Sequence, residues 1–349
     1  MSTWDALAQL TLTVERYELE GLEVAFSSEF IRKTTVIRMH GEGHEGLGED
    51  VTYSPSDQDA LQRAGAVAPI TGRFTLASFA QHIRSLDLFP VAPERDDFRH
   101  YRNWAFDSAA LDLALRQAGT TLHAALGRDP RPLTFVASLR LGEPPSLKPL
   151  LARLAIVPSL RFKLDPTASW DEHLIAQLAD LGAVDSVDLK GFYEGTIVDN
   201  PADPRLYRLV AEGFPQAWIE DPRLTDQTRP VLEQHMQRVT WDAPIHGVAD
   251  IQALSVKPRM INIKPSRLGG LQSLLDTYDY CAEQGIECYG GGQSELGVGR
   301  GQIQYLASLF HPDAPNDVAP SAFNLPEPPP DLPPSPLEPA PAELGFRWS

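Results

Sequence analysis

Cysteine is nearly absent from this chain, which has two, Cys281 and Cys288, among 349 residues. They stand seven residues apart, with no other cysteine or histidine near them in the sequence. A disulfide framework needs several paired cysteines, and a structural zinc site needs about four Cys or His ligands. Neither is expected, and we interpret the two thiols as small buried apolar groups.

Basic charge and long apolar runs are also scarce. The chain has 30 Lys and Arg against 47 Asp and Glu, a net charge of −17, whereas binding to nucleic acid or an anionic membrane requires a basic face. No apolar run approaches the length of a membrane span, and the N-terminal stretch carries acids instead of the order of a signal peptide. These absences predict a soluble, cytoplasmic protein, and they leave self-association as a homo-oligomer open.

Strand-like and helix-like segments alternate from about residue 133 onward. The strand candidates are LTFVASL (Leu133 to Leu139), LRFKLD (Leu160 to Asp165), VDLKG (Val187 to Gly191), AWIEDP (Ala217 to Pro222), RVTWDAP (Arg238 to Pro244), MINIKPS (Met260 to Ser266), IECYGGG (Ile286 to Gly292) and DVAPS (Asp317 to Ser321). Apolar residues at helical spacing lie between them, and Ser169 to Glu172 has the spacing of a capping box. Eight strands with helical spacers predict an α/β fold, a parallel barrel of the TIM type over residues 131–324.

The two ends of the chain differ from this pattern. Residues 1–130 combine alternating stretches, a turn-rich GEGHEGLGED and an Ala/Leu-rich helix, which predicts an α+β module. Residues 325–349 include nine prolines between Pro326 and Pro341, so this segment is expected to be extended. Because it ends in Phe346 and Trp348, we expect it to pack back on the body of the protein.

Ionisable residues occur at one strand end after another. They are Asp165, Asp188 with Lys190, Glu220, Asp242, Lys264 and Glu295. From Asp188 the steps are 32, 22, 22 and 31 residues, each about one strand and helix unit. Active sites of such barrels collect at the carboxyl ends of the strands, so we expect these side chains to converge.

The types of these residues indicate a particular chemistry. Three converging carboxylates would repel one another, and a hard divalent cation such as Mg²⁺ relieves that repulsion. A cation that binds a substrate carboxylate also stabilises the charge left when the α-proton departs. The amine of Lys264, with a pKa lowered by the cation and by burial, could take that proton. The pattern therefore predicts α-proton abstraction from a small carboxylate.

The same segments resemble a known family. VDLKG, WIEDP, WDAPIHGVADI, INIKPSRLGGL and GGGQSELGVGRG, in this order, resemble the barrel of the enolase superfamily, in its mandelate racemase/muconate lactonizing enzyme-like group and closest to the muconate-lactonizing branch. Upstream, GLGED and WAFDSAALDLALRQAGTTLHAALG are similar to the turn and the helix of that family's capping domain. The resemblance implies a (β/α)7β barrel with an N-terminal α+β capping domain.

The resemblance also implies roles for individual residues. Asp188, Glu220 and Asp242 would hold one Mg²⁺ ion, Lys264 would be the acid/base of the sixth strand, and Glu295 would lie at the seventh. The capping domain of this family closes over the substrate, so Ser27, Ser28 and Arg32 are candidates for substrate binding, as is the turn at 46–51. Lys163, one pleat deeper than Asp165, is expected to support the substrate site electrostatically.

Three positions depart from the family pattern. The branch usually has Lys-x-Lys on the second strand and Asp-x-Asn on the third, where this chain has Lys163-Leu164-Asp165 and Asp188-Leu189-Lys190, and the Glu that commonly follows the third ligand is Ala243. The second base needed for a racemase or epimerase, and used in o-succinylbenzoate synthesis, is therefore missing, and these activities are kept as alternatives. A β-elimination or cycloisomerisation, with one base and one acid, fits best.

Two interpretations of Asp165 and Lys190 stay open. They could form an exchanged ion pair, or Lys190 could be a relocated amine that protonates a leaving group or holds a second substrate carboxylate. Two other functional classes also remain. One is a catalytically silent relative that binds Mg²⁺ and a carboxylate, and the other is a Schiff-base aldolase that uses Lys264.

Overall fold

The computed structural model describes residues 2–26, 31–196 and 198–348. The N-terminal part is an α+β cap. Its strands are β1 (Thr11–Val14), β2 (Arg16–Ala25), β3 (Ile31–Gly41), β4 (His44–Asp50) and β5 (Gly72–Thr75), and its helices are α1 (Asp5–Ala8), α2 (Pro55–Ala64), α3 (Leu76–Ser85), α4 (Phe98–Gln117) and α5 (Leu122–Leu126). Strands β2, β3 and β4 form an antiparallel sheet, and β1 pairs with β5.

Two glycines let the long helix α4 lie directly on β4. A Cβ atom at Gly48 would overlap the carbonyl oxygen of Ala105, and one at Gly46 would overlap the carbonyl oxygen of Ala109. The prediction of a turn at 46–51 is therefore wrong: GLGED lies in strand β4, and its glycines allow close packing of the helix.

The C-terminal part is a parallel barrel domain. Its strands are β6 (Val136–Leu139), β7 (Arg161–Leu164), β8 (Val184–Asp188), β9 (Trp218–Glu220), β10 (Val239–Trp241), β11 (Met260–Ile263) and β12 (Glu287–Gly290), hydrogen-bonded in chain order. Its helices are α6 (Lys148–Ile156), α7 (Glu172–Leu181), α8 (Pro204–Gly213), α9 (Arg229–Leu232), α10 (Val248–Ala253), α11 (Pro265–Leu268), α12 (Leu271–Gln284) and α13 (Val298–Phe310), with 3-10 turns at Glu233–Arg238 and Ser321–Asn324.

A short segment joins the two edges of this sheet. Asn316 forms a parallel bridge with Phe135, just ahead of β6, and Asp317 forms one with Gly291, just after β12. DVAPS, predicted as an eighth strand, thus contributes one bridge there, at Asp317. The predicted α/β class, with a cap and a barrel domain, is confirmed. The helix expected after Ser169 begins at Glu172, and the side chain of Asp171 caps it by accepting from Leu174 N at 2.8 Å.

Glu49, near the end of β4, connects the cap to the barrel. Its buried carboxylate accepts hydrogen bonds from the backbone N–H groups of Leu296 (2.7 Å), Gly297 (3.0 Å) and Gly299 (2.8 Å). These groups lie at and just before the N-terminus of α13, whose dipole favours a negative charge at this end. The contact holds the cap against the loop that follows β12.

The C-terminal segment contacts both domains. Leu337 pairs with Leu133 ahead of the barrel, while Phe346 is fully buried and donates its N–H to Asp112 of α4 at 2.7 Å. Arg347 Nε donates to the same carboxylate, also at 2.7 Å. Among the described residues, no helix is both long enough and apolar enough to cross a membrane.

Candidate active site

A cavity of about 690 Å³ opens at the carboxyl ends of the barrel strands. Phe26 and Tyr53 of the cap contribute to its wall. Its charged lining residues are Arg140, Lys163, Asp165, Lys190, Lys264, Arg300 and Asp317. Most of the charged side chains predicted at strand ends therefore meet in or beside one cavity, as expected for the active end of a parallel barrel.

Three buried acids lie close together at the ends of β8 and β9. Carboxylate oxygens of Asp188, Glu220 and Asp221 all lie within 4.8 Å of one another, so this triad could bind a metal ion. Asp188 and Glu220 stand where the sequence predicted them. Asp221 was missed because neighbours in a strand point to opposite faces, whereas Asp221 lies past the end of β9 with a left-handed φ of 49°.

Burial and crowding favour the protonated forms of two of these acids. Burial, with the charges of Asp242 and Asp188, raises the pKa of Asp221 to about 7. Burial also raises the pKa of Glu220 well above its usual value, with Asp188 and Asp242 adding to the effect and Lys163 opposing it. The cluster therefore favours binding of positive charge.

Lys163 supplies part of that charge. Its Nζ is hydrogen-bonded to Glu220 and lies 3.1 Å from Asp188 Oδ2 and 3.3 Å from Asp317 Oδ2. The side chain is 2% exposed. Burial works against the ammonium, but Glu220, Asp188 and Asp317 outweigh it and raise the pKa of Lys163 well above its usual value. The residue predicted to support the site from a deeper level thus contacts the acids directly.

Asp242, just after β10, is held by two cations. Its Oδ2 accepts a hydrogen bond from Lys264 Nζ at 2.8 Å, and Arg267 Nη1 donates to its Oδ1. Burial would raise the pKa of Asp242, but Arg267 and Lys264 hold it below its usual range. In this structure the third predicted metal ligand therefore orients the predicted base.

Lys190 turns back onto the strand that precedes it. Its backbone is left-handed, with φ 53°, and its N–H donates to Asp188 Oδ1 at 3.0 Å. Its Nζ donates to Asp188 Oδ2 and lies 3.7 Å from Asp165 Oδ1. Asp165 also accepts from Arg140 Nε at 3.0 Å. Lys190 and Asp165 thus meet, as expected, but the closer partner of Lys190 is Asp188, the acid two residues earlier.

The remaining candidates serve mainly as supports in this structure. Glu295 lies 2.9 Å from Arg300 and accepts from Gln293 N, so Arg300 reaches the cavity in its place. Arg32, predicted to bind substrate, instead donates to the backbone carbonyls of Val51, Thr52, Gln293 and Ser294. Four carbonyls use its donors, so it links cap and barrel. Ser27 and Ser28 lie outside the described residues.

Sequence reasoning missed several charged or polar residues at the site. They are Arg140, Asp221, Arg267, Tyr289, Arg300 and Asp317. Arg267 had a usable signal, since it stands three residues after Lys264, one helical turn away. The hydroxyl of Tyr289 donates to Glu220 Oε2 at 2.6 Å. In the sequence this tyrosine has the pattern typical of a core residue.

A capping domain over a parallel barrel, with acids and lysines buried at the strand ends, defines a class of barrel enzymes. Models of the "Domain of unknown function (DUF8230)" family match the chain, the N-terminal domain at residues 5–125 and the C-terminal domain at 129–325. An o-succinylbenzoate synthase of Bacillus subtilis (strain 168) is 42% identical over 111 residues, 30% of this chain and 29% of that protein.

Two further proteins match over most of the chain. An N-succinylamino acid racemase of Amycolatopsis sp is 26% identical over 310 residues, 85% of this chain and 81% of that protein. The structure of a dipeptide epimerase from Enterococcus faecalis V583 shares the fold, with a TM-score of 0.66, 16% identity and coverage of 97% of this chain and 100% of that one.

The chain belongs to the DUF8230 family and carries both of its domains, and it shares its fold with solved structures of the enolase superfamily and of a mandelate racemase/muconate lactonizing enzyme. The sequence relatives it matches are named as enzymes, an o-succinylbenzoate synthase and an N-succinylamino acid racemase. The predicted resemblance is confirmed.

Proposed function

We propose that this protein removes the α-proton of a small carboxylate substrate, with Lys264 as the base and Mg²⁺ as the cation. The position of Lys264 carries the proposal. Its amine reaches the cavity, and Asp242, which lies beside the buried acid triad, holds it at 2.8 Å. Base and acidic cluster therefore stand together where a substrate can enter.

The acidic cluster fits a hard divalent cation. Its ligand atoms are all carboxylate oxygens, which Mg²⁺ prefers, and their crowding favours added positive charge. We assign Asp188, Glu220 and Asp242 as the ligands, with Asp221 next to them. When bound, Mg²⁺ supplies the charge that stabilises the enediolate formed as the substrate loses its proton.

Lys264 would act as the base and Lys190 as the acid. Lys264 takes the α-proton, and the carboxylate of Asp242 orients its amine. Lys190 faces Asp188 and Asp165, and opposite charges favour its protonated form. It is therefore suited to donate a proton to a leaving group or to bind an anion.

This arrangement favours β-elimination or cycloisomerisation over racemisation. A two-base racemase or epimerase needs a second proton acceptor, and Asp165 is instead paired with Arg140 and near Lys190. One relative is named o-succinylbenzoate synthase and another N-succinylamino acid racemase. Both names contain a succinyl carboxylate, which supports a substrate with more than one carboxylate, since Arg140, Lys190 and Arg300 line the cavity.

One observation supports a second candidate, a silent relative that binds without turnover. Lys163 places an ammonium between Asp188 and Glu220, so the acids already have a cation within the protein. A site whose acids are already neutralised in part by Lys163 could bind a carboxylate ligand and act as a sensor.

The test is α-proton exchange in D₂O with MgCl₂, followed by proton NMR over N-succinyl amino acids, the o-succinylbenzoate precursor, dipeptides, sugar acids and lactones. We expect exchange by the wild type and none by Lys264→Ala, with Lys257→Ala, an exposed lysine, as control. Full activity of Lys264→Ala would refute the assigned base. Calorimetric binding without exchange would favour the silent candidate, and EDTA-resistant borohydride trapping on Lys264 would favour an aldolase.

A further inference from the structure

The first turns of α4, a helix of the cap, contact the barrel directly behind Lys264. His100 Nδ1 lies 2.9 Å from the backbone carbonyl oxygen of Arg267. Because a carbonyl can only accept, Nδ1 must carry the proton and donate it. The ring also packs on Gly269, where an added Cβ would come within 2.9 Å of His100 Cγ.

The carbonyl that His100 holds belongs to the turn that carries Lys264. Lys264 is the residue before α11, and its own carbonyl accepts from Arg267 N at 2.9 Å and from Leu268 N at 3.2 Å. His100 is therefore hydrogen-bonded to Arg267 at one end of a single helical turn, and Lys264, the proposed base, lies at the other end.

The side chains at this turn form a second link. Arg267 donates to Asp242 Oδ1, while Asp242 Oδ2 accepts from Lys264 Nζ at 2.8 Å. A displacement of Arg267 would therefore move the Lys264 amine by two routes. One is the backbone of the turn, and the other is the Asp242 carboxylate that orients the amine.

We propose that His100 is a positioning residue that fixes Lys264 from the cap domain through the carbonyl of Arg267. The inference rests on the proposed function, in which Lys264 is the base. Proton transfer depends steeply on geometry, and a misplacement of about 1 Å can slow a reaction on the order of a hundredfold. The cap would therefore take part in placing the base as well as in covering the substrate.

A second contact between α4 and this segment does not involve His100. Asp107, two turns further along α4, accepts a hydrogen bond from Leu271 N at 3.0 Å. Because this contact remains, substitutions of His100 test the placement of Lys264 with the domain junction intact.

The experiment compares three substitutions at His100. In His100→Asn the side-chain amide nitrogen can lie near the position of Nδ1 and still donate a hydrogen bond. In His100→Gln the longer side chain carries the amide past that position. His100→Ala removes the donor. The control is His82→Ala, which removes a similar histidine bond, from Nε2 to the carbonyl of Pro69 at 2.8 Å, elsewhere in the cap.

Two measurements are made on each protein. The first is kcat and KM for α-proton exchange on N-succinyl-L-phenylalanine with MgCl₂ in D₂O. The second needs no substrate: it is the rate at which trinitrobenzenesulfonate labels Lys264, located by peptide mass spectrometry. We expect the Ala and Gln variants to lose about tenfold or more in kcat at nearly constant KM and to change the labelling rate, with Asn and His82→Ala close to wild type.

The outcomes separate the two proposals. Exchange by the wild type that is unchanged in His100→Ala would overturn the positioning role and leave the proposed function standing. Equal losses in the Asn and Gln variants, or a change confined to KM, would also overturn it. If the wild type exchanges no proton, the proposed function is in error for this substrate, and the labelling rate alone decides: an unchanged rate in His100→Ala overturns the inference, and a changed rate supports it.

Discussion

Lys163 Nζ lies 3.1 Å from Asp188 Oδ2, with both side chains buried, and the same ammonium also bonds to Glu220. A lysine that the sequence placed one pleat below the site is thus part of its charge balance. The cation and the acids stabilise each other, and removal of Lys163 would leave Glu220 with the Tyr289 hydroxyl and, among the described residues, no cation, and Asp188 with Lys190 as its remaining cation.

The first prediction concerns this ammonium. We expect Lys163→Met to lower the free energy of unfolding by about 3 to 5 kcal/mol in EDTA, because Glu220 loses its cation and Asp188 loses one of two. MgCl₂ should restore part of the loss by supplying positive charge. Urea unfolding in EDTA and in MgCl₂ measures both effects, with Lys257→Met as control. Unchanged stability in EDTA would show that the acids do not depend on Lys163.

The second prediction concerns the metal ligands. We expect Asp188→Asn, Glu220→Gln and Asp242→Asn each to weaken Mg²⁺ binding strongly in titration calorimetry. Asp221→Asn should weaken it less, because the two oxygens of Asp221 accept from the N–H groups of Asp242 (2.8 Å) and Ala243 (2.9 Å). The exposed Asp226→Asn is the control. A larger loss of Mg²⁺ affinity in Asp221→Asn than in Asp242→Asn would show that Asp221 is the third ligand in place of Asp242.

The third prediction separates the two interpretations of Lys190. If Lys190 protonates a leaving group, Lys190→Met should keep α-proton exchange while product formation falls by about a hundredfold or more. Asp165→Asn should have a milder effect on the same step, since Asp188 still holds the ammonium. Exchange and product formation are followed together by NMR. Normal product formation by Lys190→Met would leave only the ion-pair interpretation.

The fourth prediction concerns pH. Burial raises the pKa of Asp107 to about 6, although Leu271 N–H and Arg84 oppose it. The folded state then binds this proton more tightly than the unfolded chain, where the pKa is about 3.9, so stability falls as pH rises from about 4 to about 6. Asp107→Asn should remove up to about 3 kcal/mol of this dependence. Urea unfolding across that pH range measures it, and parallel curves for both proteins would contradict it.

The strand-end residues show how far sequence reasoning reached. Asp188, Glu220, Asp242 and Lys264 recur at the spacing of one strand and helix unit, and parallel strands bring their carboxyl ends to one side. In the structure Lys264 lines the cavity and bonds to Asp242, while Asp188 and Glu220 contact Lys163, another lining residue. This part could be predicted because it depends only on the order of elements along the chain.

Residues that depend on backbone detail were harder to predict. Lys190 was expected at a strand end together with Asp188, but β8 ends at Asp188, and a left-handed φ of 53° at Lys190 returns its ammonium to that acid. Arg32 looked like a free cation near the substrate, yet backbone carbonyls of both domains surround its guanidinium. Neither the backbone reversal at Lys190 nor the carbonyl contacts of Arg32 can be inferred from residue types.

The sequence by itself determined the kind of protein: periodic apolar segments set the order of strands and helices, and the acids and lysine after them set the chemistry. Only the tertiary structure decided which groups touch. Lys163 meets Asp317 of the segment that joins the sheet edges, and His100 meets the turn of Lys264 from the other domain. Such contacts join residues more than 150 positions apart, and their distances follow from the packing of whole elements rather than from local spacing.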